Sequence, residues 1–246
     1  MPEIYKVGGC VRDEILGIDS KDIDFTFVLD DLSQSVDSGF QQMTDFLITE
    51  GYKIFLSTPD CYTIRAKFPI DSPFAGLVAD FVMARKEVGY TPGTRKPILE
   101  LGSLHDDLIR RDFTCNAIAT DYDGNLIDPF NGVSAIHDKL LVTPLEPTDT
   151  FMDDPLRMLR ALRFSITKGF TIAPAVWDAI FIPGLLDKLE TVVSSERIQT
   201  EVQKMMQKDT VATLRLLAKI DKIEPRLLEI IFSKGVWLLP TTKHIN

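Results

Sequence analysis

At 246 residues the chain can hold one large or two small domains with a proper core, and 45% apolar with 26% charged residues is ordinary globular composition rather than disorder. Its longest apolar runs fall far short of the roughly 20 residues a membrane helix needs, and the first residues lack the basic-then-apolar layout of a secretion signal, so a cytoplasmic protein without membrane contact is expected. The net charge of −9 disfavours nucleic-acid binding by the chain as a whole, but residues 1–193 carry 18 Lys and Arg against 30 Asp and Glu while 194–246 carry 9 against 6, so a nucleic-acid side is expected toward the C-terminus.

Near the N-terminus, Val7-Gly8-Gly9-Cys10-Val11-Arg12-Asp13 reads as a glycine turn opening a helix, whose first amides and Arg12 are suited to a phosphate. In the run Asp22 to Phe27, Ile23, Phe25 and Phe27 alternate with Asp22, Asp24 and Thr26, so a strand here sends the apolar residues to one face and both carboxylates to the other. Two carboxylates that close repel unless a hard divalent cation or a shared proton resolves the conflict, and oxygen-only ligation suits magnesium. The plain alternative is an exposed acidic strand, although Asp is depleted in strands. Three single cysteines, Cys10, Cys61 and Cys115, argue against a disulfide frame or a zinc site.

Val36, Phe40, Met43 and Leu47 recur at helical spacing and Gly51 closes the pattern, a core-facing amphipathic helix. Strand-like runs follow at Tyr62 to Phe68 and Leu77 to Met83. In the second, Asp80 faces the same way as Val78 and Val82, either as an edge-strand aspartate or as a third acid beside the first two. The Gly and Pro content of Glu87 to Pro97 (Gly89, Pro92, Gly93, Pro97) predicts an irregular, turn-rich loop ending in Arg95-Lys96-Pro97. In Asp106 to Ala117 an arginine pair abuts Asp112, which could simply hold an arginine in place. Ala117 to Asp121 and Leu126 to Asp128 flank Asp123-Gly124, a hairpin signal. From Ser134 onward the patterns are helical.

Asp153-Asp154-Pro155-Leu156-Arg157 then starts a helix with Asp154 expected at the N-cap and Pro155 at the first helical position, over a stripe of Leu156, Leu159, Leu162 and Ile166. Capping is a complete structural account of Asp154, but it leaves Arg157 one turn in, where a cation gains nothing from the helix dipole. Ser194-Ser195-Glu196-Arg197 reads as a capped helix start with surface pairing, and Leu214 to Phe232 as further helices interrupted at Pro225.

Gly8-Gly9-Cys10-Val11-Arg12-Asp13 with Asp22-Ile23-Asp24, then Asp80 and Arg85, then Arg110-Arg111-Asp112-Phe113-Thr114 with Asn116, then Asp153-Asp154-Pro155-Leu156-Arg157 closely resemble, in order, the signatures of class II tRNA nucleotidyltransferases and bacterial poly(A) polymerases, in the polymerase-beta-like superfamily. The resemblance spans residues 4–205. It implies an α+β fold: a nucleotidyltransferase head with a mixed β-sheet at 1–135, a helical nucleotide-recognition region at 136–205, and a shortened helical body at 206–246. It implies that Asp22 and Asp24 hold Mg2+, with Asp80 as the third catalytic acid. Gly8, Gly9 and Arg12 would then meet the nucleotide, and Arg111, Asp112 and Asn116 would hold its sugar and phosphates. Tyr90, Arg95, Lys96 and Pro97 match the family's flexible loop. Asp154 and Arg157 would act as a protein template for cytosine and adenine, with Arg160 and Arg163 also nucleotide-binding. The implied activity is two-metal addition of C and A from CTP and ATP to the tRNA 3′ end. CC-only addition, A-only addition and poly(A) synthesis share these signatures, though no Gly-Arg-Arg-Phe-like run of the poly(A) kind follows Tyr52. A nucleotide-binding regulatory module is the rival of another class. Most of the family's tRNA-clamping tail is missing from the sequence, so a homo-oligomer or a partner chain is expected to replace it.

Overall fold

The computed structural model describes residues 2–20, 22–90 and 97–233, which fall into two compact units, Met1–Asp138 and Lys139–Asn246. The first contains β1 (Glu3–Val7), α1 (Gly9–Ile15), β2 (Asp24–Val28), α2 (Val36–Thr49), β3 (Lys53–Thr58), β4 (Thr63–Lys67), β5 (Val78–Met83), β6 (Arg85–Tyr90), β7 (Pro97–Leu101), α3 (Leu104–Ile109), β8 (Ala119–Thr120), β9 (Leu126–Ile127) and α4 (Gly132–His137). Seven of its strands form a mixed sheet in the order β3-β4-β5-β2-β1-β8-β9, antiparallel except where β2 runs parallel to β5. The expected mixed-sheet head is therefore present.

The alternation in β2 decides which face of this sheet is dry. Phe25, Phe27 and Leu29 enter a core with Phe81 and Met83 of β5, Ile64 and Ala66 of β4, and the α2 stripe Val36, Phe40, Met43 and Leu47. Phe25 stacks on Phe81 at 5.4 Å and meets Phe68 edge-on at 5.1 Å, geometries that add to burial. Ser35 caps α2 by accepting from the Ser38 amide at 3.2 Å, and Gly51, at φ 78°, ends it. β2 starts at Asp24 rather than Asp22. The edge strand β3 was not legible as a strand, because most of its side chains are exposed and show no apolar alternation.

The opposite face of the sheet carries Asp24, Thr26 and Val7, and α3 packs beside β2 there. A capping box between Ser103 and Asp106 fixes the start of α3. It sets Asp107 so that its fully buried carboxylate receives Arg110 Nη2 at 2.6 Å, Arg111 Nη2 at 2.7 Å and the Thr26 hydroxyl at 2.8 Å.

The two ends of the segment from Glu87 to Pro97 differ from the irregular loop its composition predicts: residues 85–90 pair with 97–101 as the antiparallel strands β6 and β7, with a register shift between Glu87 and Gly89. A bulge at glycine and a proline at the first position of a strand are where a ladder tolerates these residues, so Gly89 and Pro97 punctuate the pairing instead of abolishing it. Residues 91–96, with Arg95 and Lys96 of the expected basic pair, lie outside the described residues.

The second unit contains β10 (Leu140–Leu141), α5 (Pro147–Asp153), α6 (Leu156–Thr167), β11 (Thr171–Ile172), α7 (Pro174–Ala179), α8 (Pro183–Val192), α9 (Ser195–Lys208), α10 (Thr210–Asp221) and α11 (Pro225–Phe232). It is helical apart from a two-residue parallel pairing of β10 with β11. Pro155 occupies the N-cap of α6, one place earlier than the pattern predicted, while the Asp154 carboxylate still accepts from the Leu156 amide at 3.1 Å. α6 packs along α9, and within that contact Arg163 Nε donates to Glu201 Oε2 at 2.5 Å, the side chains being 14% and 5% exposed.

Two outcomes follow from these buried charges. Glu201→Ala leaves Arg163 buried without its carboxylate, which is expected to cost about 3 kcal/mol in chemical denaturation, and replacing both residues by methionine should recover most of the loss; an unchanged midpoint for Glu201→Ala would contradict the pairing. Burial pushes the Asp107 carboxyl up, but Arg111, Arg110 and the hydrogen bonds from Arg111 and Thr26 outweigh it and hold the group far below the usual carboxylate range. A carboxyl depressed in the folded state binds fewer protons there than when unfolded. Its stabilisation is thus complete above the unfolded value of about 3.9 and drains away as pH falls below it. Stability followed from about pH 5 down to about pH 3 should fall steeply in the wild type and less steeply in Asp107→Asn, and equal slopes would contradict the assignment.

Candidate active site

The parallel register of β2 and β5 sets Asp24 beside Asp80, and the antiparallel register of β4 and β5 sets Arg65 beside Asp80, so the three side chains lie in one row on the polar face of the sheet. Asp22 joins them from just before β2, because Ile23 between the two aspartates packs on the aromatic core. Asp22 is exposed and Asp24 half-buried. Burial pushes the Asp24 carboxyl up, Arg111 pulls it down, Asp80 and Asp22 push it up again and Arg65 opposes them, with a net upward shift. The expected third acid, Asp80, shares the face, but both its oxygens are engaged: Arg65 Nε donates to Oδ1 at 2.8 Å and Arg65 Nη2 to Oδ2 at 2.6 Å.

Arg111 sits at the junction of this acidic row and the glycine turn. Gly8 has φ 80°, a conformation L side chains rarely adopt, and a Cβ there would come within 2.6 Å of Arg111 Nη1. The turn therefore admits the guanidinium only because position 8 has no side chain. Asp107 and Thr26 hold Arg111 Nη2, while its Nε is buried without a hydrogen-bond partner among the described residues. Asp107 and Thr26 were not anticipated as part of the site. The Asp107 signal was present in the i+3 and i+4 spacing to Arg110 and Arg111 on α3.

A second network fixes the rest of the motif. Arg12, only 5% exposed, donates through Nε and Nη2 to Asp13 Oδ1 at 2.9 and 2.8 Å and through Nη1 to Asn116 Oδ1 at 2.5 Å. Asn116 Nδ2 in turn donates to Asp112 Oδ1 at 2.8 Å, and the same oxygen accepts from the Phe113 amide. Arg12 thus faces inward and positions Asn116 and Asp112. Gly9 begins α1, where a Cβ would stand 3.5 Å from Arg12 Nη2. The first unit brings together Gly8, Arg12, Arg111, Asp112 and Asn116 as one cluster, beside the acidic row of Asp22, Asp24 and Asp80.

In the second unit the Asp154 carboxylate receives Arg197 Nη2 at 3.1 Å as well as the Leu156 amide, and Arg157 Nη1 donates to the Thr150 carbonyl at 3.1 Å. Asp154 is therefore cap and ion-pair partner together. Arg197, expected to be scaffold, is its cation, and the 43-residue separation leaves no local signal of the pairing. Arg163 is committed to Glu201, and Arg160 lies over the Phe164 ring at 5.8 Å.

Among the described residues no three His, Cys, Asp or Glu side chains stand together as a metal cage. Magnesium does not need one, since it typically keeps several waters and binds through one or two carboxylates plus substrate phosphates. The all-oxygen pair Asp22 and Asp24, mutually repulsive and shifted toward protonation at Asp24, fits such an ion, whose charge would relieve the repulsion.

Comparison with known proteins bears on the fold and the family. The chain is 32% identical over 219 residues to the tRNA nucleotidyltransferase cca2 of Schizosaccharomyces pombe, covering 83% of this chain and 43% of that protein. It is 34% identical over 240 residues to a CCA-adding enzyme of Geobacillus thermodenitrificans, covering 96% of this chain and 53% of that one. Among solved structures it resembles the Bacillus stearothermophilus CCA-adding enzyme in complex with CTP, with a TM-score of 0.70 at 29% identity over 89% of this chain and 48% of that chain. The chain thus spans about half the length of the curated relatives it matches. Residues 4–142 match the family described as the poly A polymerase head domain, and the chain belongs to that family of nucleotidyltransferases.

Proposed function

We propose that this chain adds C and A from CTP and ATP to the 3′ end of tRNA, releasing pyrophosphate. The observation that carries the reading is the meeting, on one face of the sheet, of the Asp22 and Asp24 carboxylates with Arg111, a cation locked by Asp107. Negative charge for a metal beside fixed positive charge for a phosphate suits phosphoryl transfer, where positioning and electrostatics do most of the work. Solved structures of relatives with this fold include one with CTP and one with a primer tRNA and an incoming ATP analogue.

Asp22 and Asp24 hold magnesium in this reading. Bound magnesium supplies charge stabilisation at the phosphoryl oxygens and activation of the RNA 3′-hydroxyl. Arg111 offers its positive charge to the triphosphate, and its contacts with Asp107 and Thr26 keep it from following the departing pyrophosphate. Asn116 and Asp112, held in register by Arg12, are assigned to the nucleotide sugar. In the second unit, Arg157 is assigned as donor to a ring acceptor of the base and Asp154 as acceptor from its exocyclic amine. Cytosine and adenine offer that pair, whereas uracil and guanine present a carbonyl in place of the amine. Arg197 orients the Asp154 carboxylate for that task.

The direct test is incubation with tRNA transcripts ending before the first C, before the second C and before A, each with one labelled nucleotide. Incorporation of C, C and A in turn is expected. Untemplated A on every transcript would indicate a poly(A) polymerase, and no incorporation at all would favour a silent nucleotide-binding module. Asp154→Ala adds a sharper arm, because losing a charge-assisted hydrogen bond of about 1.5 to 3 kcal/mol should erode base selection by roughly tenfold to a hundredfold and admit UTP and GTP. Since Asp154 also caps α6, the variant should lose about 1 kcal/mol of stability as well. A destabilised variant that still accepts only CTP and ATP would reduce Asp154 to a cap.

A further inference from the structure

The Arg65 fork over Asp80 has no place in the scheme above. Both carboxylate oxygens are taken, at 2.8 and 2.6 Å, by a guanidinium in the bidentate arrangement that makes such pairs strong. The pair stands in register with Asp24 on the neighbouring strand, so Asp80 is the carboxylate closest in the sheet to the proposed metal ligands. A divalent cation that sought Asp80 would have to displace Arg65 first. The displacement is sterically open, because the Arg65 side chain is 51% exposed on β4 while the Asp80 side chain is only 26% exposed. Ile64 and Ala66, the neighbours of Arg65 in β4, are fully buried in the aromatic core, so the strand itself is anchored and only the side chain is free to turn.

We propose that Arg65 is a positioning residue that competes with divalent cations for Asp80: with the fork closed the acidic row binds metal through Asp22 and Asp24, and turning Arg65 away adds Asp80 to the ligand set. This rests on the proposed metal-dependent nucleotidyl transfer at the same face. The chemistry is an exchange of one cation for another at a carboxylate, with no bond made or broken. Arg65 couples metal loading to its own orientation, and a guanidinium released from Asp80 stays beside the acidic row, within reach of an incoming polyphosphate.

The test is Mn2+ binding to the full chain by calorimetry, which reads the site without any turnover. Arg65→Met is expected to bind Mn2+ about tenfold more tightly than the wild type, the scale of a lost charge-assisted bond. Removing any positive charge near an acidic row raises cation affinity, so the Asp80→Asn background is decisive. There most of the Arg65→Met gain should be lost, and Asp80→Asn alone should bind no more tightly than the wild type. Arg65→Lys, which keeps the charge but cannot fork, should show a smaller gain in the same direction and serves if Arg65→Met does not fold. Unchanged affinity in both Arg65 variants, or a gain that persists undiminished with Asp80→Asn, would overturn the proposal. Asn at both Asp22 and Asp24 should abolish binding in every background; persistence of binding there would instead overturn the metal assignment on which the proposal stands.

Discussion

The buried carboxylate of Asp107 is the constraint on which the candidate site depends. It draws Arg110 and Arg111 inward at 2.6 and 2.7 Å and ties them through Thr26 to the middle of β2, the strand that carries Asp24. The pairing with Asp107 fixes the Arg111 guanidinium beside the acidic row, where it pulls the Asp24 carboxyl down against burial. The same guanidinium fills the space at Gly8 that any side chain would occupy, which explains why a glycine turn, a β-strand and a short helix distant in sequence must be assembled together.

Around that anchor the sheet separates two chemistries by the simple alternation of strand side chains. Phe25 and Phe27 go to an aromatic core with Phe68 and Phe81, and Asp24 and Thr26 go to the polar face. The large apolar burial on one side keeps β2, β4 and β5 in fixed register, so the charges on the other side are held close despite their repulsion. Arg65 and Arg111 flank the row at its two sides and moderate it, yet the Asp24 carboxyl is still pushed up. A site that retains unresolved negative charge in the free protein is prepared for a cation and gains most from binding one.

The β2 alternation, the α2 stripe and the Asp123-Gly124 turn were legible because each signal is local and repeats with the period of its element. The order of motifs also gave the family and the mixed-sheet head. What escaped reading depends on register or on distance. The Arg65 fork exists because β4 and β5 pair in one register rather than another, which no local pattern states. Arg197 reaches Asp154 from another helix, and Glu201 is the buried partner of Arg163 from 38 residues away. The Glu87 to Pro97 segment misled in the opposite direction. Its glycine and proline content suggested irregular chain, whereas β6 and β7 accommodate Gly89 at a bulge and Pro97 at a strand start.

The central claim is that Arg111, fixed by Asp107, is the phosphate-binding cation beside the acidic pair. Calorimetric titration of CTP into the full chain with magnesium in excess tests it most directly, using the wild type, Arg111→Met and Asp107→Asn with folding checked by circular dichroism. The account predicts that Arg111→Met weakens CTP by about tenfold or more, and that Asp107→Asn weakens it too although it removes no ligand contact. Wild-type affinity in a folded Arg111→Met protein would contradict it.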